Sequence, residues 1–284
     1  MLAQQLVNGL TVGSLYALMA LGLTMVYGVL RVLHIAHAAV FTLGAYAGLA
    51  AFRATGSFWA AIGAAMAAAV LAGLAMERLV YWPLLPKPPI ATLIASIGLF
   101  IGLEELFRVV AGPQPYSFDV PVHLAELRLG PATVTAPQAL VILVTAVLLA
   151  GLWLFLVRTR LGLALRAVSQ DRDVAAACAM NVRTVVSLNF ALGSALAGAA
   201  GMLVGIYYNS VYPTMGDVTA YKGLAIIVLG GLGSIPGTVL GGLLVGVAET
   251  LLIGLVEIPF PRDAWAFLAM IAVFLFRPQG LLGR

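Results

Sequence analysis

Residues 221–253 read YKGLAIIVLGGLGSIPGTVLGGLLVGVAETLLI, an apolar run broken at Gly230-Gly231-Leu232-Gly233-Ser234-Ile235-Pro236-Gly237. Glycines there leave backbone carbonyls and amides uncovered by side chains, and Pro236 removes a donor. The apolar piece before the break, about Gly223–Leu229, rises only about 10 Å at 1.5 Å per residue. It cannot cross a hydrocarbon core about 30 Å thick. Either the break lies at mid-depth or the segment is re-entrant. Irregular backbone is tolerated at membrane depth only where it is buried in protein or lines a water-filled cavity. Broken helices near the midplane point to a translocation route, which makes Gly230, Gly231, Gly233, Ser234, Pro236 and Gly237 candidate path residues. The plainer alternative is a tight glycine-rich loop at the membrane surface.

The rest of the chain gives that reading its setting. Its 284 residues are 62% hydrophobic and 9% charged, with a mean hydropathy of +1.07. Globular domains carry about 25% charged residues, so a soluble catalyst, a nucleic-acid reader and an extracellular disulfide scaffold are excluded. A spanning helix takes about 20 apolar residues, so the chain holds about eight and has no room for a separate soluble domain. The one cysteine, Cys178, permits neither an intramolecular disulfide nor a cysteine-based zinc site. No Lys or Arg precedes Arg31, so the first apolar stretch reads as an uncleaved span and not as a signal peptide.

Apolar runs place spans at about Gln4–Leu30, Ile35–Phe52, Phe58–Val80, Ile90–Val110, Pro137–Val157 and Thr184–Tyr208, then the broken segment, then about Ala264–Phe276 with Trp265 and Arg277 at its interfaces. Ala111–Ala136, with Pro113, Pro115, Pro121 and Pro131, is a long extramembrane connection. Five arginines (Arg158, Arg160, Arg166, Arg172, Arg183) crowd the loop between the fifth and sixth spans. The positive-inside rule puts that loop, Arg31, Arg78–Lys87 and the tail with Arg277 and Arg284 in the cytoplasm. Ala111–Ala136, Asn209–Ala220, the loop with Glu257 and Asp263, and the N-terminus then lie outside. The expected fold is an all-α polytopic membrane helix bundle of about eight transmembrane spans with one Gly/Pro-broken or re-entrant segment, a single domain over residues 1–284.

Catalytic signatures are missing. Both lysines follow Pro86 or Tyr221, so no Gly-Lys-Ser/Thr phosphate loop exists. No serine has glycine two residues before it, and no H-E-x-x-H occurs. The sequence implies no catalytic residue, metal site or cofactor. What it does offer is the loop Arg158–Arg183, RTRLGLALRAVSQDRDVAAACAMNVR, in which apolar Leu161, Leu165, Val168, Val174, Ala177 and Cys178 alternate with charge at helical spacing. A short amphipathic helix pair there can present an apolar ridge to a partner's groove or lie on anionic headgroups. The acids Asp171 and Asp173 weaken lipid attraction and favour the partner. Glu249 stands in an apolar run, where a charge costs about 2.5–3.5 kcal/mol on insertion scales, so it faces the bundle interior, is protonated or lies near an interface. Glu104-Glu105 closes the fourth span. His34 and His37 share one face at a helix start and read as structural groups. Gly9/Gly13, Gly44/Gly48, Gly98/Gly102 and Gly201/Gly205 have the spacing of close helix packing.

Several stretches together resemble the LivH-type permease of high-affinity branched-chain amino acid ABC importers. They are QQLVNGLTVGSLYAL at 4–18, TMVYG at 24–28, Ala36-His37, Arg166-Ala167 with Asp171 and Asn181, AGAAG at 197–201, and GGLGSIPG at 230–237. The resemblance runs in order through nearly the whole chain. It implies a bacterial inner-membrane permease subunit working with a second, LivM-type permease, two cytoplasmic ATPases that hydrolyse the ATP, and an external binding protein delivering leucine, isoleucine or valine. Residues 158–183 then dock on an ATPase through Arg166, Asp171, Arg172, Asp173 and Asn181. This sequence departs from the family at Ala36-His37-Ala38-Ala39, where Gly-Glu usually ends the motif, and at Cys178-Ala179-Met180-Asn181, usually Leu-Gly-Ile-Asn. Related permeases for urea, other amides or aromatic acids remain open, as does a stand-alone proton-coupled carrier or channel using Glu249 and the histidines.

Overall fold

The structure is a computed structural model that describes residues 2–120, 127–129, 132–255, 264, 267–268, 270–271, 275–276 and 280–283. Of the expected last span, Ala264–Phe276, seven of the thirteen residues are described, all of them helical, while Trp265, Glu257, Asp263, Arg277 and Arg284 lie outside the described residues. Its helices are α1 (Leu2–Leu30), α2 (His37–Thr55), α3 (Phe58–Met76), α4 (Trp82–Leu84), α5 (Pro89–Ala111), α6 (Ala136–Arg158), α7 (Arg160–Gln170), α8 (Arg172–Ala177), α9 (Val182–Tyr207), α10 (Met215–Gly230) and α11 (Ile235–Leu255). A π turn at Glu77–Tyr81 joins α3 to α4. The short antiparallel strands β1 (Leu127–Leu129) and β2 (Ala132–Val134) precede α6. Among the described residues, seven helical stretches are long and apolar enough to cross a membrane. The chain is a polytopic helical membrane protein.

α1 is the central element, buried along most of its length between α11, α9, α10 and α6. Lipid tails are as apolar as leucine, so helices associate there by close packing and not by hydrophobic burial. The glycine pairs supply that closeness. A Cβ at Gly9 would meet Val247 Cα at 2.8 Å, and one at Gly13 would meet Leu243 Cα at 2.9 Å. Gly44 and Gly201 likewise bring α2 against the backbone of α9, at Gly198 and Phe41. Gly98 and Gly102 of α5 have the same spacing but no neighbour within 4 Å.

Polar ladders fix the ends. At the end carrying Leu2, the Gln4 side chain bonds the backbone of Thr133, and Tyr116 pairs with Val211 across the chain. At the opposite, arginine-rich end, the Arg183 guanidinium lies 5.2 Å from the Trp82 ring centroid. His34 Nδ1 lies 2.5 Å from the Tyr81 hydroxyl, which donates to Ser96 Oγ at 2.7 Å. The Ala36 amide donates to the same Ser96 oxygen at 3.0 Å. The two histidines are thus buried in a junction between the start of α2, the π turn and α5.

The broken segment is a helical hairpin. α10 starts at Met215, eight residues before the expected Gly223, so the loop expected at Asn209–Ala220 is shortened. Its 16 residues rise about 24 Å. Apolar patterning stops short of Met215 because Lys222 reads as extramembrane; its charge is in fact neutralised inside the bundle. Gly231 and Gly233 make the turn with φ of 106° and 81°, values that only glycine adopts freely. Ser234 Oγ then accepts from the Gly237 amide at 3.2 Å. Pro236 sits in the first turn of α11, where its missing N–H leaves no bond unmade.

Gly44→Ala and Gly201→Ala should each destabilise the purified protein by about 1–3 kcal/mol through overpacking. Gly98→Ala should be neutral or stabilising by up to about 1 kcal/mol from helix propensity. Thermal denaturation in detergent checks the contrast; equal effects at all three sites would refute the packing assignment.

Candidate functional site

The arginine-rich segment folds as the expected helix pair. Thr159 Oγ1 caps α7 by accepting from the Gly162 amide at 2.9 Å. Leu165 and Val168 turn inward, while Leu161, Leu163 and Val174 are exposed. Asp171 Oδ1 accepts from the amides of Asp173 (2.9 Å) and Val174 (3.0 Å), which makes it the N-cap of α8. Asn181 Oδ1 caps α9 by accepting from the Thr184 amide at 3.1 Å. Arg166 and Asp173 have exposed side chains.

Arg172 turns back into the bundle. Its Nε donates to the Val29 carbonyl at 3.0 Å and its Nη2 to the Leu30 carbonyl at 2.6 Å. These are among the last carbonyls of α1, which lack helical partners and carry the negative end of the helix dipole. Burial, and then the neighbouring Arg31, pull the Arg172 pKa below the usual guanidinium range, while Asp173 opposes the shift. The guanidinium remains charged at physiological pH. α8 is thereby fastened to the central helix.

The 230–237 turn lies at this same end, beside Gly28 of α1, and not halfway along the bundle. A small cavity of about 60 Å³ touches Gly28, Arg166, Ser169, Asn189 and Gly233 together. Thr24 and Thr238 hydroxyls pair at 2.7 Å. The amides of Leu281 and Leu282 satisfy the end carbonyls of α10, at Leu229 and Gly230. Gly230, Gly231, Gly233, Ser234, Pro236 and Gly237 therefore form a turn packed against Gly28 and residues 282–283, with the small cavity between it and the arginine-rich segment.

Halfway along α1 lies a cluster that the sequence did not reveal. Lys222 Nζ sits 3.0 Å from each carboxylate oxygen of Glu249, and both side chains are almost fully buried. The same ammonium donates to the Tyr16 hydroxyl at 2.6 Å, and that hydroxyl lies 3.2 Å from Glu249 Oε2. Tyr16 is the middle residue of the 29-residue α1. Lys222 and Glu249 are 27 positions apart in sequence, so no local scan pairs them. Folding the segment at its glycine break was the available signal, because it lays α10 back along α11. Tyr16 and Lys222 border a cavity of about 270 Å³ whose walls are otherwise mostly apolar. Among the described residues no group of three or more side chains could hold a metal ion.

Residues 5–276 match the family model described as branched-chain amino acid transport system / permease component. The chain belongs to this permease family. It is 37% identical to the high-affinity branched-chain amino acid transport system permease protein BraD of Pseudomonas aeruginosa, over 99% of this chain and 95% of that one. The LivH permease proteins of Salmonella typhimurium and Escherichia coli K12 are 34% and 33% identical over the same shares. Among solved structures, PsaBC from Streptococcus pneumoniae in complex with Fab aligns with a TM-score of 0.50 at 16% identity, covering 95% of this permease and 89% of that chain. At that identity the likeness speaks for the fold.

If Asp171 acts as a cap, Asp171→Asn should keep the stability of the permease and Asp171→Ala should lose about 1 kcal/mol. Arg172→Gln should cost a similar amount by removing a cation from the end of α1. Denaturation midpoints of the purified variants check both, and an Asp171→Asn protein as weak as Asp171→Ala would exclude the cap.

Proposed function

We propose that this permease is one membrane half of an ATP-driven importer of branched-chain amino acids. In this reading it works with a second, related permease, two cytoplasmic ATPases and an external binding protein. The observation that carries it is the nearly full-length match to the branched-chain permease family. Supporting it is an exposed amphipathic helix pair, α7–α8, fastened by Arg172 to the central helix. The sequence holds no phosphate-binding loop, in keeping with ATP hydrolysis in separate subunits. On the positive-inside rule the α7–α8 end faces the cytoplasm, the Leu2 end faces outward, and the membrane is the bacterial inner membrane.

The geometry supports a division of labour within residues 158–183. Leu161, Leu163, Arg166, Asp173 and Val174 are among the outward side chains available to an ATPase groove. Asp171 and Asn181 shape the segment by capping its helices, and Arg172 carries displacement of α8 into α1. The 230–237 turn, packed against Gly28, lies where such a displacement reaches the α10–α11 hairpin.

The experiment is reconstitution of the permease pair with ATPases and binding protein in proteoliposomes. ATP-dependent uptake of leucine, isoleucine or valine is expected, and liposomes carrying this chain alone should be silent. The pair Arg166→Glu and Val174→Asp should reduce uptake at least ten-fold and release the ATPases during purification. Flux from the chain alone would favour a stand-alone carrier, and failure of the binding protein to hold any of the three amino acids would overturn the cargo.

A further inference from the structure

Stability alone does not account for the buried Lys222–Glu249 pair. Removing two charges from water costs several kcal/mol per ion, and apolar replacements of such pairs are often neutral or stabilising. An ionisable group in a membrane span is therefore a functional hypothesis by default. Its position sharpens this. Tyr16 is the midpoint of α1, and transporter substrate sites gather near mid-depth.

The surroundings indicate a ligand. Among the described residues, Lys222 is the sole charged side chain bordering the 270 Å³ cavity; Tyr16 and Thr219 add hydroxyls, and Leu15, Met19 and Val218 give an apolar wall. Small-molecule pockets of about 300–1,000 Å³ have this make-up, mostly apolar with a few placed polar groups. The cavity is also the first of a series. Met19 and Thr219 border a second one of about 170 Å³, and Leu224 joins that to a third beside Arg31, at the arginine-rich end. The series follows one face of α1, through residues 16, 19, 23 and 27, to Arg31 just past its end.

We propose that Lys222, together with Tyr16, holds the carboxylate of a small apolar amino acid at mid-depth, with Glu249 as the counter-ion when the site is empty. The inference rests on the transport reading above and adds the residues that meet the cargo. An anion alone would set two carboxylates against one ammonium in a low-dielectric site. A zwitterion brings an ammonium of its own, so the site's net charge is unchanged when it enters. Glu249 balances the Lys222 charge between turnovers, and competition between the two carboxylates keeps binding weak enough for release, as conduction requires.

The test removes both charges together, so that neither is left buried alone. The Lys222→Met/Glu249→Gln double variant, assembled with the same partners, should co-purify with every subunit and take up leucine at least ten-fold more slowly than wild type. Lys222→Arg should restore most of the uptake, and Val218→Trp, which fills the cavity and leaves both charged residues in place, should lose it. Wild-type uptake by the double variant, or its failure to assemble, overturns the assignment, because the pair is then dispensable or purely structural. Unimpaired uptake by Val218→Trp also overturns it. If the wild-type complex takes up none of the three amino acids, the cargo reading fails and this one falls with it.

Discussion

The packing of α1 against the α10–α11 hairpin is the junction on which the rest of the molecule depends. α1 meets α11 backbone to backbone, through Gly9 and Gly13 on one side and Gly242 and Gly246 on the other. Side chains of any size at those positions would separate the helices. The close approach also sets the register that brings Tyr16 to Lys222 and Glu249 and lays the 230–237 turn beside Gly28. In a bilayer no apolar driving force would close the two helices again once they were held apart. Some polar groups reach across the core between helices, as when Asn189 Nδ2 donates to the Met25 carbonyl at 2.7 Å.

Composition and apolar runs made the membrane fold legible, because hydropathy over twenty residues is a strong signal. Depth was not legible. The glycine-rich break declared itself as a break, yet whether it fell at mid-membrane or at a surface depended on where α10 begins. That start was hidden by Lys222, whose charge reads as loop until its partner is known. Glu249 could be marked as needing an explanation, but the explanation was across a turn.

The arginine-rich segment shows a different limit. Its helical pattern and its charges were both visible, and the family resemblance gave Arg166, Asp171, Arg172, Asp173 and Asn181 to a docking partner. What that did not convey is the work they do within the chain: Asp171 and Asn181 cap nearby amides, and Arg172 reaches α1. Capping by Asp or Asn before a helix is a local signature that the sequence did contain; the reach of Arg172 to residues 29 and 30 is tertiary and was not. The four glycine pairs make the same point. Identical spacing served packing in three cases and met nothing in the fourth, since spacing records the face of a helix and not what stands opposite it.

The grip of Arg172 on Val29 and Leu30 has a mechanical corollary. α1 is a single rod of 29 residues, about 42 Å long, pinned by close glycine crossings at both sides of its middle, Gly9 and Gly13 on α11 and Gly22 on α9. Tyr16 lies between the two crossings, and Leu30 stands only about 12 Å beyond the second. A sideways shift at the gripped end therefore meets the Gly22 crossing first, and a stroke that reaches the buried lysine runs along the rod.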